Sequence, residues 1–191
     1  MSEEKIPQEQ IASSERRGSL ASYALVWLRD LTLSFIIAGV VILFIYQPVQ
    51  VEGTSMEPTL VDQERIFINK FTYRFGIEKI ERGDMVVFWF EDSTKSYIKR
   101  VIGLPGDTVW IEKGVVYVNG RRLQEDYVPK RYEDKQSIYH PVKLDSDEYY
   151  VLGDHRSSSN DSRAWGVVHR KEIYGKAVFV YWPLEKIGPV R

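Results

Sequence analysis

The chain has 191 residues, enough for one domain of ordinary size with an accessory segment. Its 26 lysines and arginines are balanced by 27 aspartates and glutamates, so no overall charge signature points to nucleic acid. The absence of cysteine excludes disulfides, thiolate nucleophiles and cysteine-ligated metals, and the many aromatic residues favour strand-rich structure over disorder.

The N-terminal part of the sequence predicts a polar tail followed by a membrane segment. Residues 1–23 are mostly polar and are interpreted as a cytoplasmic tail. The next 23 residues, 24–46, approach a continuous apolar run, and a helix needs about 20 such residues to cross the hydrocarbon. Arg29 can extend its charged end toward the membrane surface. A buried core helix is the alternative, but a soluble helix normally has a polar face, and this segment has almost none.

The flanking charges predict how this segment is oriented. Arg16, Arg17 and Arg29 precede it or lie near its start, whereas residues 47–64 contain neither lysine nor arginine. The positive-inside rule therefore puts the N-terminus in the cytoplasm and the rest of the chain outside. A cleaved signal peptide is less consistent, because the lead is long and no small-x-small pattern follows the segment. We interpret residues 24–46 as a transmembrane signal-anchor helix.

Residues 47–191 are predicted to form an extracytoplasmic domain of the mainly β class, antiparallel and barrel-like. Short runs rich in β-branched and aromatic residues alternate with turn signals, and Asn119-Gly120 is typical of a type I′ hairpin. No stretch outside the anchor shows helical periodicity over ten or more residues. Residues 124–148 are polar and are interpreted as a long loop or insertion.

Several common catalytic patterns do not occur in the sequence. There is no Gly-rich phosphate loop, no HExxH and no pair of histidines at metal-binding spacing. A Ser-His-Asp triad could use His155 beside Asp154, but adjacent residues on a strand or tight turn usually point apart. A loop histidine is the simpler interpretation of His155.

A serine nucleophile can also use lysine as its base, provided that the lysine is neutral. Burial among apolar neighbours is what lowers the pKa of a lysine far enough. Lys99 lies in the strand-like run "SYIKRVIGL", in which alternation places it opposite Arg100, so that one of the two points inward. Arginine does not usefully deprotonate, which makes Lys99 the chemical candidate. A Lys-Arg pair on an edge strand can instead be a solvated device against aggregation.

A third run, "GDHRSSSNDSR" (153–163), holds four serines, two aspartates and two arginines in eleven residues. One interpretation is a polar surface loop built on Asx and Ser turns. The other is a support loop in which hydroxyls and a carboxylate–guanidinium pair hold a base in position.

Four stretches, "GTSMEPTL", "RGDMVVF", "YIKRVIGLPGD" and "GDHRSSSNDSR", resemble in this order the motifs of bacterial type I signal peptidases. These are membrane-anchored serine proteases that remove signal peptides from exported proteins. The resemblance covers the anchor and nearly all of the remaining chain. It implies that Ser55 is the nucleophile, that Lys99 is the general base and that Ser159 hydrogen-bonds to the lysine amine. It also implies support around the site by four residues: Asp154, Asp161, Ser162 and Arg163.

The resemblance further implies an acyl-enzyme mechanism that uses no metal and no cofactor. The expected partners are signal peptides of exported preproteins and the lipid bilayer, with no nucleic acid. The substrate would lie extended along a sheet edge, and Val49, Val51 and Ile98 are expected to line shallow apolar pockets for it. The expected location is the cell membrane, although thylakoid homologues share these motifs.

Two positions depart from the family pattern. His155 stands where many members have asparagine, and Gly53 stands where some members carry a serine that helps to stabilise the oxyanion. The backbone N–H of Ser55 can still donate, but Gly53 leaves the second donor open. Two alternatives to a signal peptidase also stay open: another Ser-Lys processing peptidase, and a catalytically idle, membrane-tethered β module that binds peptides.

Overall fold

The computed structural model describes residues 8–71, 77–90 and 95–190. The chain divides into two compact units, Met1–Leu43 and Phe44–Arg191. The first seven residues of the predicted tail lie outside the described residues.

The described part of the N-terminal unit belongs to helix α1, which spans Gln8–Ile45. The helix therefore reaches into the predicted tail, where Gln, Glu, Ala and Arg favour helix. Its apolar part, Ser22–Ile42, has 21 residues and a mean hydropathy of 2.0, so it is long and apolar enough to cross a membrane. Large apolar side chains such as Trp27 and Phe35 are exposed along it. Such exposure is unfavourable in water but not in lipid.

Polar side chains within α1 are satisfied by near neighbours. Arg29 donates to the Asp30 carboxylate at 2.8 Å, so the positive charge near the start of the span has its counter-charge next to it. The hydroxyls of Thr32 and Ser34 donate to the carbonyls of Leu28 and Asp30, each at 2.8 Å. These bonds reduce the free-energy cost of placing polar groups in an apolar span.

The second unit contains twelve strands within its described residues. In chain order they are β1 (Tyr46–Gln50), β2 (Arg65–Asn69), β3 (Met85–Trp89), β4 (Ser96–Gly103), β5 (Thr108–Glu112), β6 (Val115–Val118), β7 (Arg121–Arg122), β8 (Tyr139–Lys143), β9 (Glu148–Leu152), β10 (Val168–His169), β11 (Ile173–Trp182) and β12 (Gly188–Pro189).

The strands form two antiparallel sheets, which confirms the predicted mainly β class. The larger sheet has the order β1-β2-β11-β3-β4-β9-β10, with β12 paired to β11, and the smaller has the order β7-β6-β5-β8. Neither sheet closes on itself among the described strands, so the expected barrel is replaced by two open sheets. A cluster with Ile102 and Leu152 from the larger sheet and Val109 and Val116 from the smaller one buries the apolar face that closure would otherwise cover.

The tight turns follow the predicted chemistry. Asn119 and Gly120, between β6 and β7, have φ angles of 51° and 82°. Positive values at both positions are what a type I′ hairpin requires, so this predicted hairpin is confirmed. Lys113 and Gly114 have the same signs, at 49° and 77°, between β5 and β6.

Residues 124–148, predicted as a loop or insertion, contain regular structure at both ends. A 3-10 turn spans Lys130–Tyr132, and β8 pairs with β5 at the edge of the smaller sheet. Strand β8 was not predicted from the sequence, because the strand contains Pro141 and its side chains are exposed or only partly buried. Proline is tolerated there because an edge strand does not need to donate on its outer side.

Candidate active site

Ser55 lies in the turn-rich segment that connects β1 with β2. The base of this segment is closed by two backbone hydrogen bonds of 2.8 Å, one from the Val51 N–H to the Glu64 carbonyl and one from the Gln63 N–H to the Val51 carbonyl. Met56 and Leu60 are fully buried in a cluster with residues of β2, β3 and β11. Burial of these two side chains fixes the segment on the sheet, so the position of Ser55 depends on core packing as well as on turn residues.

Lys99 reaches Ser55 from the interior of the larger sheet. It lies on β4, between β3 and β9, and its Nζ is 2.6 Å from Ser55 Oγ. The side chain is only 3 % exposed. Burial lowers the pKa of Lys99 to about 8, although the charges of Asp161 and Asp154 oppose this shift. A lysine in this state can exchange a proton with the serine hydroxyl near neutral pH.

Arg100 is buried as well, although strand alternation predicts that only one of the two basic residues points inward. Both faces of β4 are covered at this point, since Lys99 and Arg100 are 3% and 4% exposed. Arg100 donates to both carboxylate oxygens of Asp154, at 2.8 and 2.7 Å, and to the Gly83 carbonyl at 2.9 Å. The Asp154 carboxylate also accepts from the Thr59 hydroxyl. Asp154 therefore joins β4, its own loop and residues 51–64, which carry the predicted nucleophile Ser55 and are called the nucleophile segment below.

Asp161 and Arg163 form a second buried pair. The Asp161 carboxylate accepts from Arg163 Nε at 2.8 Å and caps the short helix α2, Ser162–Trp165, through the Arg163 N–H at 3.3 Å. It also accepts from the Gly153 N–H at 3.0 Å. The hydroxyl of Ser162 accepts from the Val151 N–H at 2.9 Å, which ties the helix to β9. All these contacts fix the backbone at Gly153.

Gly153 is where the 153–163 loop approaches Ser55. A Cβ at this position would lie 2.2 Å from Ser159 Oγ and 2.4 Å from the Ser55 carbonyl oxygen. Only glycine allows both approaches. The Ser159 hydroxyl is buried and has no hydrogen-bond partner among the described residues, so the bond to the lysine amine that the resemblance implies is not formed here. The Lys99 amine is directed to Ser55 instead.

His155 contacts the nucleophile segment through backbone oxygens and does not contact the Ser55 hydroxyl. Its N–H donates to the Ser55 carbonyl at 3.1 Å, and its ring Nδ1 is 3.2 Å from the Thr54 carbonyl. The Ser-His-Asp alternative is therefore not the observed arrangement. The segment has one more fixed point, because the Gly53 N–H donates to Asp62 at 2.7 Å.

A cavity of about 570 Å³ opens beside Ser55 and Lys99. Val49, Val51 and Ile98, the three predicted substrate-binding residues, all line it together with these two. Further apolar and aromatic lining comes from Ile66, Ile68, Val87, Tyr97 and Tyr174. The structure thus brings the predicted nucleophile, base and substrate-binding residues to one cavity.

Sequence reasoning missed four residues that contact this arrangement: Glu125, Tyr127, Tyr132 and Asp134. They belong to the segment predicted as a loop. The aromatic residues among the charged ones were the available signal that this segment packs against the rest of the domain, because large aromatic side chains are usually at least partly buried.

Comparison with known proteins places this geometry in a family. The family described as "Signal peptidase, peptidase S26" matches residues 24–182. Signal peptidase I P of Bacillus subtilis subsp. natto is 37% identical over 169 residues, which cover 84% of this chain and 90% of that protein. Signal peptidase IB of Staphylococcus aureus (strain N315) is 36% identical over 177 residues, covering 85% and 91%. The chain therefore belongs to the signal peptidase family, peptidase S26.

Among solved structures, the crystal structure of a signal peptidase I from Enterococcus faecalis V583 is similar to this chain. It is 33% identical, covers 52% of this chain and 97% of that one, and superposes with a TM-score of 0.45.

Proposed function

We propose that this protein is a membrane-anchored serine endopeptidase that removes signal peptides from exported preproteins, with Ser55 as nucleophile and Lys99 as general base. The observation that carries the proposal is the 2.6 Å contact between the buried Lys99 amine and the Ser55 hydroxyl. Membership of the signal peptidase family supports the class of substrate.

The first chemical step is acylation. The neutral Lys99 amine accepts the proton of the Ser55 hydroxyl while Oγ attacks the scissile carbonyl carbon. Because burial lowers the pKa of Lys99 to about 8, the neutral amine is populated at neutral and mildly alkaline pH. The lysine then passes the proton to the leaving amine, the scissile C–N bond breaks, and the acyl group stays on Ser55. A water that gives a proton to Lys99 releases the acyl group and restores the serine.

The oxyanion of the tetrahedral intermediate needs hydrogen-bond donors. The backbone N–H of Ser55 is available, since it has no acceptor among the described residues. Gly53 offers no hydroxyl, and its N–H already donates to Asp62 at 2.7 Å. The proposal therefore assigns the Ser55 N–H as a donor and assigns no donor role to Gly53.

The substrate is proposed to bind as an extended strand. In β4, Ser96–Lys99 pairs with β3 on one side, but the pairing with β9 begins only at Arg100. The other side of this half-strand has no strand neighbour in the described part of the chain, so a peptide can add to it. Val49, Val51 and Ile98 then lie beside the peptide, where their limited space favours small side chains near the scissile bond.

The membrane anchor is proposed from α1. The span Ser22–Ile42 would hold the protein in the cell membrane, or in a thylakoid membrane, with the catalytic unit outside the cytoplasm. The arginines before and near its start, and the lack of lysine and arginine in residues 47–64 after it, support this orientation. A tail of residues 1–23, an anchor of 24–46 and a catalytic domain of 47–191 remain our proposed boundaries.

A cleavage assay tests the proposal. The full-length protein in detergent is incubated with a preprotein, and conversion to the mature form is followed by gel electrophoresis and N-terminal sequencing. We expect cleavage at the end of the signal peptide, and we expect Ser55→Ala and Lys99→Ala each to abolish it while the protein stays folded. An inactive wild-type protein would favour the idle peptide-binding module, and activity in either variant would refute the dyad. Cleavage only of substrates other than signal peptides would favour another processing peptidase.

A further inference from the structure

A short segment outside the cavity packs against the residues that hold Ser55. It comprises residues 125–134, follows β7 and includes the 3-10 turn Lys130–Tyr132. We call it the strap. Its side chains reach the nucleophile segment and the 153–163 loop at three separate points, at Glu125, Tyr132 and Asp134.

The first point is an ion pair between Glu125 and Arg156. The Glu125 carboxylate accepts from both terminal nitrogens of Arg156, one of them at 2.9 Å. Arg156 is buried, and its remaining nitrogen, Nε, donates to the Gly153 carbonyl at 2.9 Å. A carboxylate that binds two nitrogens of a guanidinium fixes its plane, so Glu125 sets the direction of the bond to Gly153.

The second point is Tyr132, which contacts both the nucleophile segment and the 153–163 loop. Its ring lies 4.0 Å from the ring of His155, centroid to centroid. Its hydroxyl donates to Glu57 Oε2 at 3.2 Å, two residues after Ser55. His155 in turn binds the carbonyl of Ser55 through its N–H at 3.1 Å. Tyr132 thus holds the support loop and the nucleophile segment against each other.

The third point is Asp134, which lies 3.4 Å from Arg163 Nη1. Arg163 is paired with Asp161, and Asp161 accepts from the Gly153 N–H at 3.0 Å. The N–H and the carbonyl of Gly153 are therefore both held by carboxylate–arginine chains that end on the strap. Gly153 is also the residue whose missing Cβ allows the close approach to Ser55.

The strap itself is attached to the smaller sheet. A Cβ at Gly114, in the β5–β6 turn, would lie 2.1 Å from the Asp134 carbonyl oxygen. The Gly114 N–H donates to the Ser137 carbonyl at 3.1 Å, and the Ser137 hydroxyl donates to the Asp134 carboxylate. Tyr127 stacks on Arg100 at 4.1 Å and donates to Glu125 at 2.8 Å. The strap is thus attached to the smaller sheet at Gly114 and to β4 of the larger sheet through Tyr127.

No residue of the strap lines the cavity beside Ser55. A substitution in the strap therefore removes no side chain from the wall of the cavity, and its expected effect is on the position of Ser55 relative to Lys99. A displacement of about 1 Å in a reacting group can lower the rate about a hundredfold.

We propose that the strap is a positioning element for the proposed peptidase reaction, in which Glu125 and Tyr132 act through the 153–163 loop to hold Ser55 against Lys99. This inference rests on the proposed function. It gives residues 125–134 a role in the chemistry that their distance from Ser55 in the sequence does not indicate.

Steady-state kinetics of full-length variants on a preprotein test this role. For Tyr132→Ala we expect kcat to fall about 10- to 100-fold while KM stays within about twofold, because the substrate cavity is untouched. Tyr132→Phe keeps the ring and loses only the bond to Glu57, so it should restore most of kcat. Glu125→Gln keeps the size of the side chain and should lower kcat without changing KM. Lys130→Ala, an exposed position in the same segment, is the matched control and should behave as wild type.

Denaturant unfolding of each variant gives the folded fraction, against which kcat is corrected. The inference is overturned if corrected kcat of Tyr132→Ala and Glu125→Gln equals that of Lys130→Ala, or if KM rises while kcat is unchanged. If Tyr132→Ala does not fold, Glu125→Gln decides. An uncleaved preprotein with the wild-type chain, or cleavage by Ser55→Ala, refutes the proposed function together with this inference. If the wild-type chain cleaves the preprotein, Ser55→Ala does not, and the strap variants keep the kcat of the wild type, only the proposed role of the strap is refuted.

Discussion

Arg100 and Asp154 form a buried pair in which two guanidinium nitrogens lie 2.8 and 2.7 Å from the two carboxylate oxygens. Asp154 is fully buried and Arg100 is 4% exposed. Arg100 follows Lys99 on β4, so the residue beside the proposed base anchors the strand to the support loop. The pair thus connects the stability of the fold with the geometry of the site.

Removal of one member of this pair is expected to destabilise the protein. Asp154→Asn removes the buried carboxylate charge that Arg100 binds through two nitrogens, and loss of one charge from a buried pair costs about 3–5 kcal/mol in the free energy of unfolding. Urea unfolding of the detergent-solubilised protein, followed by tryptophan fluorescence, measures the change. The double variant Arg100→Met/Asp154→Leu removes both charges and should be more stable than Asp154→Asn. Equal stability of Asp154→Asn and wild type would contradict the role of the pair.

The pH dependence of activity should follow the ionisation of Lys99. Its pKa is lowered to about 8 by burial, and the neutral amine is the form proposed to act as the base. Activity should therefore be low in acid, rise with pH and level off above about pH 8. The lowered pKa of Lys99 also affects stability. Between about pH 8 and pH 10.5, Lys99 carries a proton in the unfolded state but has lost it in the folded state. In that window this residue makes the free energy of unfolding rise with pH.

Initial rates on one preprotein between pH 5 and 10 measure the activity profile, and unfolding of Lys99→Met as the reference isolates the stability effect. A rate that is independent of pH, or highest in acid, would contradict a lysine base.

The sequence predicted that Ser55 and Lys99 lie at one site, and the structure places them 2.6 Å apart, but much of what surrounds them was not predicted. Ser55 and Lys99 lie in short motifs with recognisable local patterns, and burial of an interior strand gives Lys99 its lowered pKa. Whether the sheet closes into a barrel depends on packing between distant strands, which alternation along one strand does not determine. The same holds for Tyr132, because its partners Glu57 and His155 are remote in sequence and it looks like part of a polar loop.

Gly153→Ala is expected to lower both kcat and the free energy of unfolding. The new Cβ would collide with the Ser55 carbonyl and the Ser159 side chain, so the nucleophile must shift. We expect kcat to fall about a hundredfold and the free energy of unfolding to fall by about 1–3 kcal/mol. Gly188→Ala is the matched control, since nothing lies within 4 Å of a Cβ there. Wild-type kcat for Gly153→Ala would show that the close approach does not position Ser55.

Ser159→Ala separates a catalytic role from a structural one. The Ser159 hydroxyl is buried and has no hydrogen-bond partner in the part of the chain that the structure describes, so its removal should leave stability unchanged or slightly higher. If the hydroxyl orients the amine of Lys99 during turnover, as the family resemblance implies, kcat should fall about tenfold, in the range of a positioned hydrogen bond. Unfolding and kcat measured on the same preparation give both values. Unchanged kcat would remove Ser159 from the proposed site.

Ile98→Ala should change which substrates are cleaved. Ile98 lines the cavity with Val49 and Val51, next to Lys99, and its truncation enlarges the space for a substrate side chain. The ratio of kcat/KM for a preprotein with leucine against one with alanine just before the scissile bond should rise about tenfold or more, since one or a few methylenes in an apolar pocket change discrimination by this amount. Ile138→Ala, at an exposed position outside the cavity, should leave the ratio unchanged. An unchanged ratio for Ile98→Ala would place the specificity pocket elsewhere, whereas a raised ratio would connect the apolar wall of the cavity with the preference for small side chains.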